Sequence, residues 1–537
     1  MTRTIRLLCA LLTASMLLAG FGGAASAEQP KQVTLEFLAP SPVSQVNDMD
    51  AVLAKVYEQT DPTLNVRINY TFTTFDDIGQ KASLKMSSGE PLDFVFVAQW
   101  TTPSLAQMVS KGLLVNLDTY IESGEYPGLA QYFTGDLRDN NAVTDAAGET
   151  HLYALPFTNA YSGGGAIYYR KDLADKYGVE ISDYDSLTAF FDAILENEPG
   201  VAPFSFLGST DSINGTIADL YRSEAYTSQH NNFLVSDVSI VIGEDGKAYA
   251  SRQVFPELDP EYWSRLPDYR KAEDPLLSYK LAREWYEKGY LESDLLSQKD
   301  YEGQFMAGRA ASFPRAADTY MDTVARFKTA MPDAELGLFM TELGIRHGVD
   351  KASGSDFRAW NFGAIPTTSK NIDRTVGFLN WIFEDPANHD LLELGIEGKH
   401  WIAVGEHQYS YPEGIDLSQN YNFYGYVLTW NPLLVRDHAD TPAFISEIYQ
   451  KMRDPNFYYK RADAGFTFVT DTIKTEVAKI NDLKSLKRAV ENGVVEDYEG
   501  EMTKIQAQYE AAGYWVVVEE MERQFNEFLL ENPYTGQ

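Results

Sequence analysis

Cysteine is almost missing from this chain: 537 residues hold one, Cys9, and it falls inside an N-terminal export signal. The exported part therefore has no disulfide, no thiol chemistry and no cysteine-based metal site. Positive charge is also scarce, with 44 Lys and Arg against 78 Asp and Glu, a formal net charge of −34. Phosphate backbones and anionic lipid surfaces are repelled by such a chain, which argues against a nucleic-acid partner. After the signal there is no apolar run approaching about eighteen residues, so no membrane-spanning helix is expected. Gly-x-Ser-x-Gly, His-Glu-x-x-His and P-loop patterns are all lacking. Seven histidines are scattered, and His400 with His407 does not make a ligand spacing, so neither metal nor cofactor is expected. Paired carboxylates for glycoside hydrolysis stay open, because 78 acids make chance pairs inevitable. No internal repeat or low-complexity linker is present.

What the chain does have begins at its start. Arg3 and Arg6 precede an apolar stretch from Leu7 to Leu18, and Ala25-Ser26-Ala27 fits the small-x-small cleavage pattern. Cleavage after Ala27 is expected. Leu18-Ala19-Gly20 is what precedes the lipidated cysteine of a bacterial lipoprotein, but Phe21 follows and has no thiol to acylate. Free secretion is the reading, with cell-surface association as the alternative.

Two or more domains are expected at this length. Val33 to Phe37 alternates as a strand does. Met49, Val52, Leu53 and Val56 recur at helical spacing up to a break at Asp61-Pro62, and Val66, Ile68, Tyr70 and Phe72 alternate again. A polar helix is predicted from Phe75 to Ser87. Asp93 to Ala98 ("DFVFVA") is continuously apolar, as a strand buried on both faces should be. The helix of "TTPSLAQMVSKG" follows, with Leu105, Met108 and Val109 inward and Gly112 as its stop. Alternating strands and helices mean an α/β lobe with a mainly parallel sheet. Gly163-Gly164-Gly165 lacks the Lys-Ser/Thr of a phosphate cradle and reads as a crossing between lobes. "SIVIGEDGKAYA" reads as a hairpin and lacks a calcium-loop register. The last hundred residues are mostly helical and highly charged.

Several stretches, in order, resemble the extracellular solute-binding proteins of family 1, the carbohydrate-binding components of ABC importers. They are "SSGEPLDFVFVAQW", "KGLLVNLDTYI", "LYALPF", "IYYRKDLADKYGVEISDYDSLTAFFDAI" and "FMAGRAASF". "GIEGKHW" and "YEAAGYWVVVEEMERQFNEFL" resemble the long, LipO-like Gram-positive subgroup with an extra C-terminal domain of unknown function. The resemblance implies a two-lobed, type II periplasmic-binding-protein-like fold, its lobes mainly parallel sheets flanked by helices and joined by two or three crossovers, with a helical C-terminal extension. The implied division is a signal peptide at 1–27, lobe 1 at 28–158, lobe 2 at 159–335, a return to lobe 1 at 336–385, and the rest of lobe 2 with the C-terminal domain at 386–537. The implied function is capture of a carbohydrate, an oligosaccharide, between the lobes and its delivery to ABC permease subunits, by a monomer without enzymatic activity. A secreted glycoside hydrolase or lyase, and a sugar-binding adhesin or sensor partner, remain as alternatives.

Sugars present C–H faces to stack on aromatic rings and hydroxyls for polar side chains to bind, in a cleft that sheds water. Trp100 and Gln99 stand just past the end of the Asp93–Ala98 strand, where α/β sheets hold ligands. Asp93 itself reads as a cap for neighbouring backbone. Asn159 and Tyr161 fall on the expected crossing. Phe357, Arg358 and Trp360 precede the returning strand, where the resemblance implies an aromatic floor. Trp401 of "GIEGKHW", a motif whose two glycines also suit a structural helix stop, and Trp430 of "YNFYGYVLTWNP", also readable as core, complete the candidates.

Overall fold

The computed structural model describes residues 30–222, 232–235 and 237–534. The export signal read at 1–27 lies outside the described residues.

The eight strands that build the two lobes are β1 (Val33–Pro40), β2 (Val66–Thr73), β3 (Phe94–Val97), β4 (Ala154–Phe157), β5 (Gly165–Arg170), β6 (Ser312–Ala316), β7 (Leu336–Met340) and β8 (Asn361–Ala364). The first lobe is a five-stranded sheet in the order β2-β1-β3-β8-β4. β1 runs parallel to β2 and β3, while β8 pairs antiparallel with β3 and β4. All four residues of β3 are buried, as its unbroken apolar run requires. The helix Met49–Thr60 buries Val52, Leu53 and Val56 on the predicted face. Ile78–Ser88 ends in Gly89 at φ 72°, a left-handed cap that glycine adopts without a side-chain penalty. Leu105–Ser110 opens on Ser104, whose hydroxyl accepts from the Gln107 N–H in a capping box. Asp93 does cap backbone: it accepts from the Glu36 N–H at 2.9 Å and from the Ser369 hydroxyl at 2.5 Å.

The second lobe departs from the expected parallel sheet. Its three strands run β6-β5-β7, with both pairings antiparallel. β5 carries the chain away from the first lobe, and β6 and β7 both bring it back, so Ala316 lies opposite Gly165 and Met340 opposite Ala166. Parallel bridges at Ala202–Ala310 and Phe204–Leu291 extend the layer.

The division of the chain also shifts. β7 belongs to the second lobe, so the return to the first lobe falls at Ser355–Asn361 rather than at residue 336. Beyond residue 386 the chain stays with the first lobe: Leu392, Tyr421, Phe423 and Leu428 pack into the same core as Phe37, Phe96 and Phe362. Only after Trp430 does it cross a third time, and the helix Ala443–Arg453 then sets Ile445, Tyr449 and Met452 against Tyr168 and Phe313.

The C-terminal helices Lys474–Glu491, Tyr498–Ala512 and Tyr514–Glu531 bury Ile480, Met502, Val518, Met521 and Phe525 against the hairpin Val238–Ile242 and Ala248–Ala250. Asn526 seals that contact, giving and taking a hydrogen bond with the Ala248 backbone at 2.9 Å each. No described helix is long and apolar enough to cross a membrane.

Candidate functional site

The end of β3 is turned sharply: the Ala98 carbonyl accepts from both the Thr101 hydroxyl and the Leu105 N–H at 2.9 Å. Gln99 and Trp100 are thereby pushed out at the sheet's edge, and Trp100 is 41% exposed. A second segment meets it there. In residues 424–430 the Gly425 carbonyl accepts from the N–H groups of Leu428, Thr429 and Trp430 at 2.9–3.1 Å. This tight turn gathers Tyr424, Tyr426 and Trp430, with Tyr424 stacked on Tyr426 at 5.1 Å and Trp430 edge-on to Tyr426 at 5.3 Å. Phe75 approaches Tyr426 at 5.8 Å and Trp100 at 6.3 Å, while Phe96 lies beneath Tyr426 at 5.8 Å. Burial pushes the Tyr426 phenol up to about 12, Tyr424 adds to the rise, and a hydrogen bond from Trp100 opposes it. The result is a wall of aromatic rings held in stacked and edge-on contact.

The other lobe faces this wall. Burial raises the Tyr424 phenol above its ordinary value, Asp318 and Asp322 add to that, and Arg315 opposes it. All three charged residues belong to the second lobe, on β6 and just after it. Arg315 is committed to the Glu302 carboxylate and, at 2.8 Å, to the Thr319 hydroxyl. Asp318 is different: its Oδ1 is buried without a hydrogen-bond partner. It sits at the root of the first crossing, where its N–H and that of Ala317 reach the Gly163 and Gly164 carbonyls.

Of the residues proposed from sequence, Trp100, Gln99, Asn159, Trp360 and Trp430 come to this edge. Trp360 is 74% exposed and immediately precedes Asn361, which pairs with Phe157 of β4. Asn159 follows two residues beyond Phe157 and is half-buried. Tyr161 is half-buried too, but its ring leans edge-on against Phe357 at 5.3 Å. Its N–H donates to the Met452 carbonyl and its carbonyl accepts from the Ser355 hydroxyl, both at 2.8 Å, so it ties three segments together at the crossings.

Three candidates belong to the framework instead. Phe357 is 4% exposed and packs in the second-lobe core. Arg358 bonds Asp356 at 2.8 Å and the Phe466 carbonyl at 3.1 Å, facing the C-terminal domain. Trp401 is also 4% exposed; its indole N–H donates to the Gly395 carbonyl at 2.9 Å, and Arg436 covers its ring at 5.3 Å. An aromatic residue beside a crossing has two cores available, and only the path of the backbone decides which it enters.

Phe75, Tyr424, Tyr426 and Asp318 were not singled out from sequence. The density of rings in "YNFYGYVLTW" was a signal for the tyrosines, but nothing in the spacing of "RAADTY" marks its aspartate. Among the described residues no group of three or more His, Cys, Asp or Glu is placed to hold a metal ion.

Two α/β lobes linked by three crossings, with an aromatic wall on one and polar groups facing it from the other, define a two-lobed solute-binding protein. A family model described as bacterial extracellular solute-binding protein matches residues 51–396, and the chain belongs to that family. A second model, a domain of unknown function, matches residues 463–530. The chain is 22% identical over 507 residues to a carbohydrate ABC transporter substrate-binding protein of Streptococcus pneumoniae, covering 90% of this chain and 89% of that one. Its fold is similar to the N-glycan transport solute-binding protein NgtS of Streptococcus pneumoniae: TM-score 0.68, 18% identity, 94% of this chain and all of that one. An HMO-binding, ABC-transporter-associated solute-binding protein of Bifidobacterium longum infantis has a TM-score of 0.59 at 14% identity, covering 93% and 99% of the two chains.

Proposed function

We propose that this protein captures an oligosaccharide between its lobes and delivers it to the permease subunits of an ABC transporter. The observation that carries the reading is the aromatic wall of Trp100, Tyr424, Tyr426 and Trp430 at the inner edge of the first lobe. Aromatic faces stack on sugar rings, and the unpartnered Asp318 carboxylate opposite can accept from sugar hydroxyls as the lobes close. Trp360, Gln99 and Asn159 extend the same edge. Family membership supports the transport role, as do relatives whose descriptions name carbohydrate transport and whose structures hold Man1GlcNAc and Man5GlcNAc. The protein acts by binding, without bond cleavage and without a metal or cofactor. It is secreted, beginning at Glu28 after the Ala25-Ser26-Ala27 cleavage pattern, and carries no lipid because Phe21 has no thiol to acylate.

Calorimetric titration of the mature protein with a panel of neutral oligosaccharides, Man5GlcNAc among them, tests the reading. Saturable binding with no release of reducing ends is expected. Hydrolysis of any member would favour the enzymatic alternative, and absence of binding across the panel would overturn the proposal. Intact mass of the exported protein checks its start at Glu28, and an acylated N-terminus would contradict free secretion.

A further inference from the structure

Glu393 ends the helix Pro386–Glu393 and turns its carboxyl group into the base of the aromatic segment 424–430. Three observations meet at this group. The Thr429 hydroxyl donates to Oε2. The Trp430 indole N–H approaches the same carboxylate and favours its charged form. A Cβ added at Gly425 would stand 2.0 Å from Oε2, so the carboxylate fills the space that any larger residue there would need. One helical turn earlier, His389 supports the same segment: its Nε2 donates to the Thr429 carbonyl at 3.0 Å. The neighbouring Asp390 is occupied by Arg436 at 2.7 Å. Burial raises the Glu393 carboxyl above its ordinary value, His389 and the two donors pull the other way, and Asp390 reinforces the rise.

A buried carboxylate costs desolvation, and replacing such a group by apolar packing is often neutral for stability. Here it accepts from the Thr429 hydroxyl and faces the Trp430 indole of the turn that carries the ligand-facing rings; without it Thr429 keeps only the longer contact to the Gly425 carbonyl at 3.4 Å. Thr429 is fully buried, so its hydroxyl has no recourse to water. Gly425 lies between Tyr424 and Tyr426 in sequence, so contact at its α-carbon fixes where both rings emerge.

We propose that Glu393 is a positioning residue for the ligand wall, holding residues 424–430 in the conformation that presents Tyr424, Tyr426 and Trp430 to the cleft. This rests on the reading of that wall as the oligosaccharide site. Glu393 touches no sugar; it acts through the turn.

The test uses the mature protein labelled with 5-fluorotryptophan, the Trp430 fluorine resonance being assigned by Trp430→Phe. Glu393→Ala, Glu393→Gln and Gly425→Ala are compared by fluorine NMR, thermal unfolding and titration with Man5GlcNAc. In Glu393→Ala the Trp430 resonance is expected to shift and broaden while the other tryptophans keep theirs. Affinity for Man5GlcNAc should fall on the order of tenfold, as for loss of one hydrogen bond to a charged group. Gly425→Ala should reproduce both effects by displacing the carboxylate, and Glu393→Gln should restore most of the wild-type behaviour, since the amide oxygen still accepts. An unmoved Trp430 resonance, a glutamine variant no better than alanine, or a moved resonance with unchanged affinity would each overturn the proposal. If Glu393→Ala does not fold, the glutamine and Gly425 variants decide it. If the wild type binds no sugar, the reading of the site fails, while the fluorine comparison still decides the clamp without ligand.

Discussion

Arg358 and Asp463 meet at 3.4 Å, and through this pair the second crossing between the lobes is bound to the start of the C-terminal domain. The Asp463 side chain is 1% exposed and also accepts from Arg461 Nε and Nη2, at 2.9 and 2.7 Å. Removing this carboxylate takes charge-assisted hydrogen bonds from Arg461 and Arg358, while Arg358 keeps Asp356 at 2.8 Å. Asp463→Ala should therefore lower stability by about 1–3 kcal/mol in urea unfolding. An unchanged midpoint would mean that the C-terminal domain is held to the crossing by apolar packing alone.

Phe357 and Trp360 stand three residues apart and should answer differently to the same change. Phe357→Ala empties part of the second-lobe core and should cost about 3–5 kcal/mol. Trp360→Ala removes an exposed ring and should change stability by no more than about 0.5 kcal/mol. It should instead weaken sugar binding by about 1–3 kcal/mol, as should Trp100→Ala. If Trp360→Ala unfolds the sugar-free protein, that ring is structural.

Burial raises the Asp318 carboxyl from 3.8 to about 6, with Arg315 and Arg453 opposing the rise. The folded protein then holds a proton that the unfolded chain has already released between those two values. Stability contributed here is present below pH 3.8, falls as pH climbs to about 6, and stays flat above. Asp318→Asn should remove this slope and raise stability at pH 7 by on the order of 1–2 kcal/mol, the shift being discounted for solvent reach. Unfolding measured across pH 3–8 for both proteins checks it; an unaltered slope would place the titration elsewhere.

Closure should turn on the first crossing. Gly164 has φ 63°, and a Cβ there would sit 2.9 Å from the Met452 sulfur. Gly164→Ala should cost about 1–2 kcal/mol for the left-handed backbone alone. It should also blunt the ligand-induced fall in radius of gyration, read by small-angle scattering. Equal compaction in both proteins would move the hinge to the other two crossings.

Local order was legible in the amino-acid pattern, because it depends on neighbours in sequence. Val52, Leu53 and Val56 specify a helix face at any site in the fold, and the apolar run of β3 demands cover on both sides. The hairpin around Gly246, at φ 75°, needs only its own turn residues. The exposed Trp100 followed from its place just past the end of a buried strand. The rest was settled by tertiary structure. Whether Phe357 or Trp360 faces the cleft depends on where the second crossing leaves one core for the next. The antiparallel β6-β5-β7 sheet follows from both returning strands heading back to the same hinge. The aromatic wall joins Phe75, Trp100 and residues 424–430, over three hundred positions apart, and what aligns them is burial on a shared sheet edge and the Glu393 carboxylate beneath the turn. No periodicity carries that information, since hydrogen bonding and close packing act between residues whatever their separation along the chain.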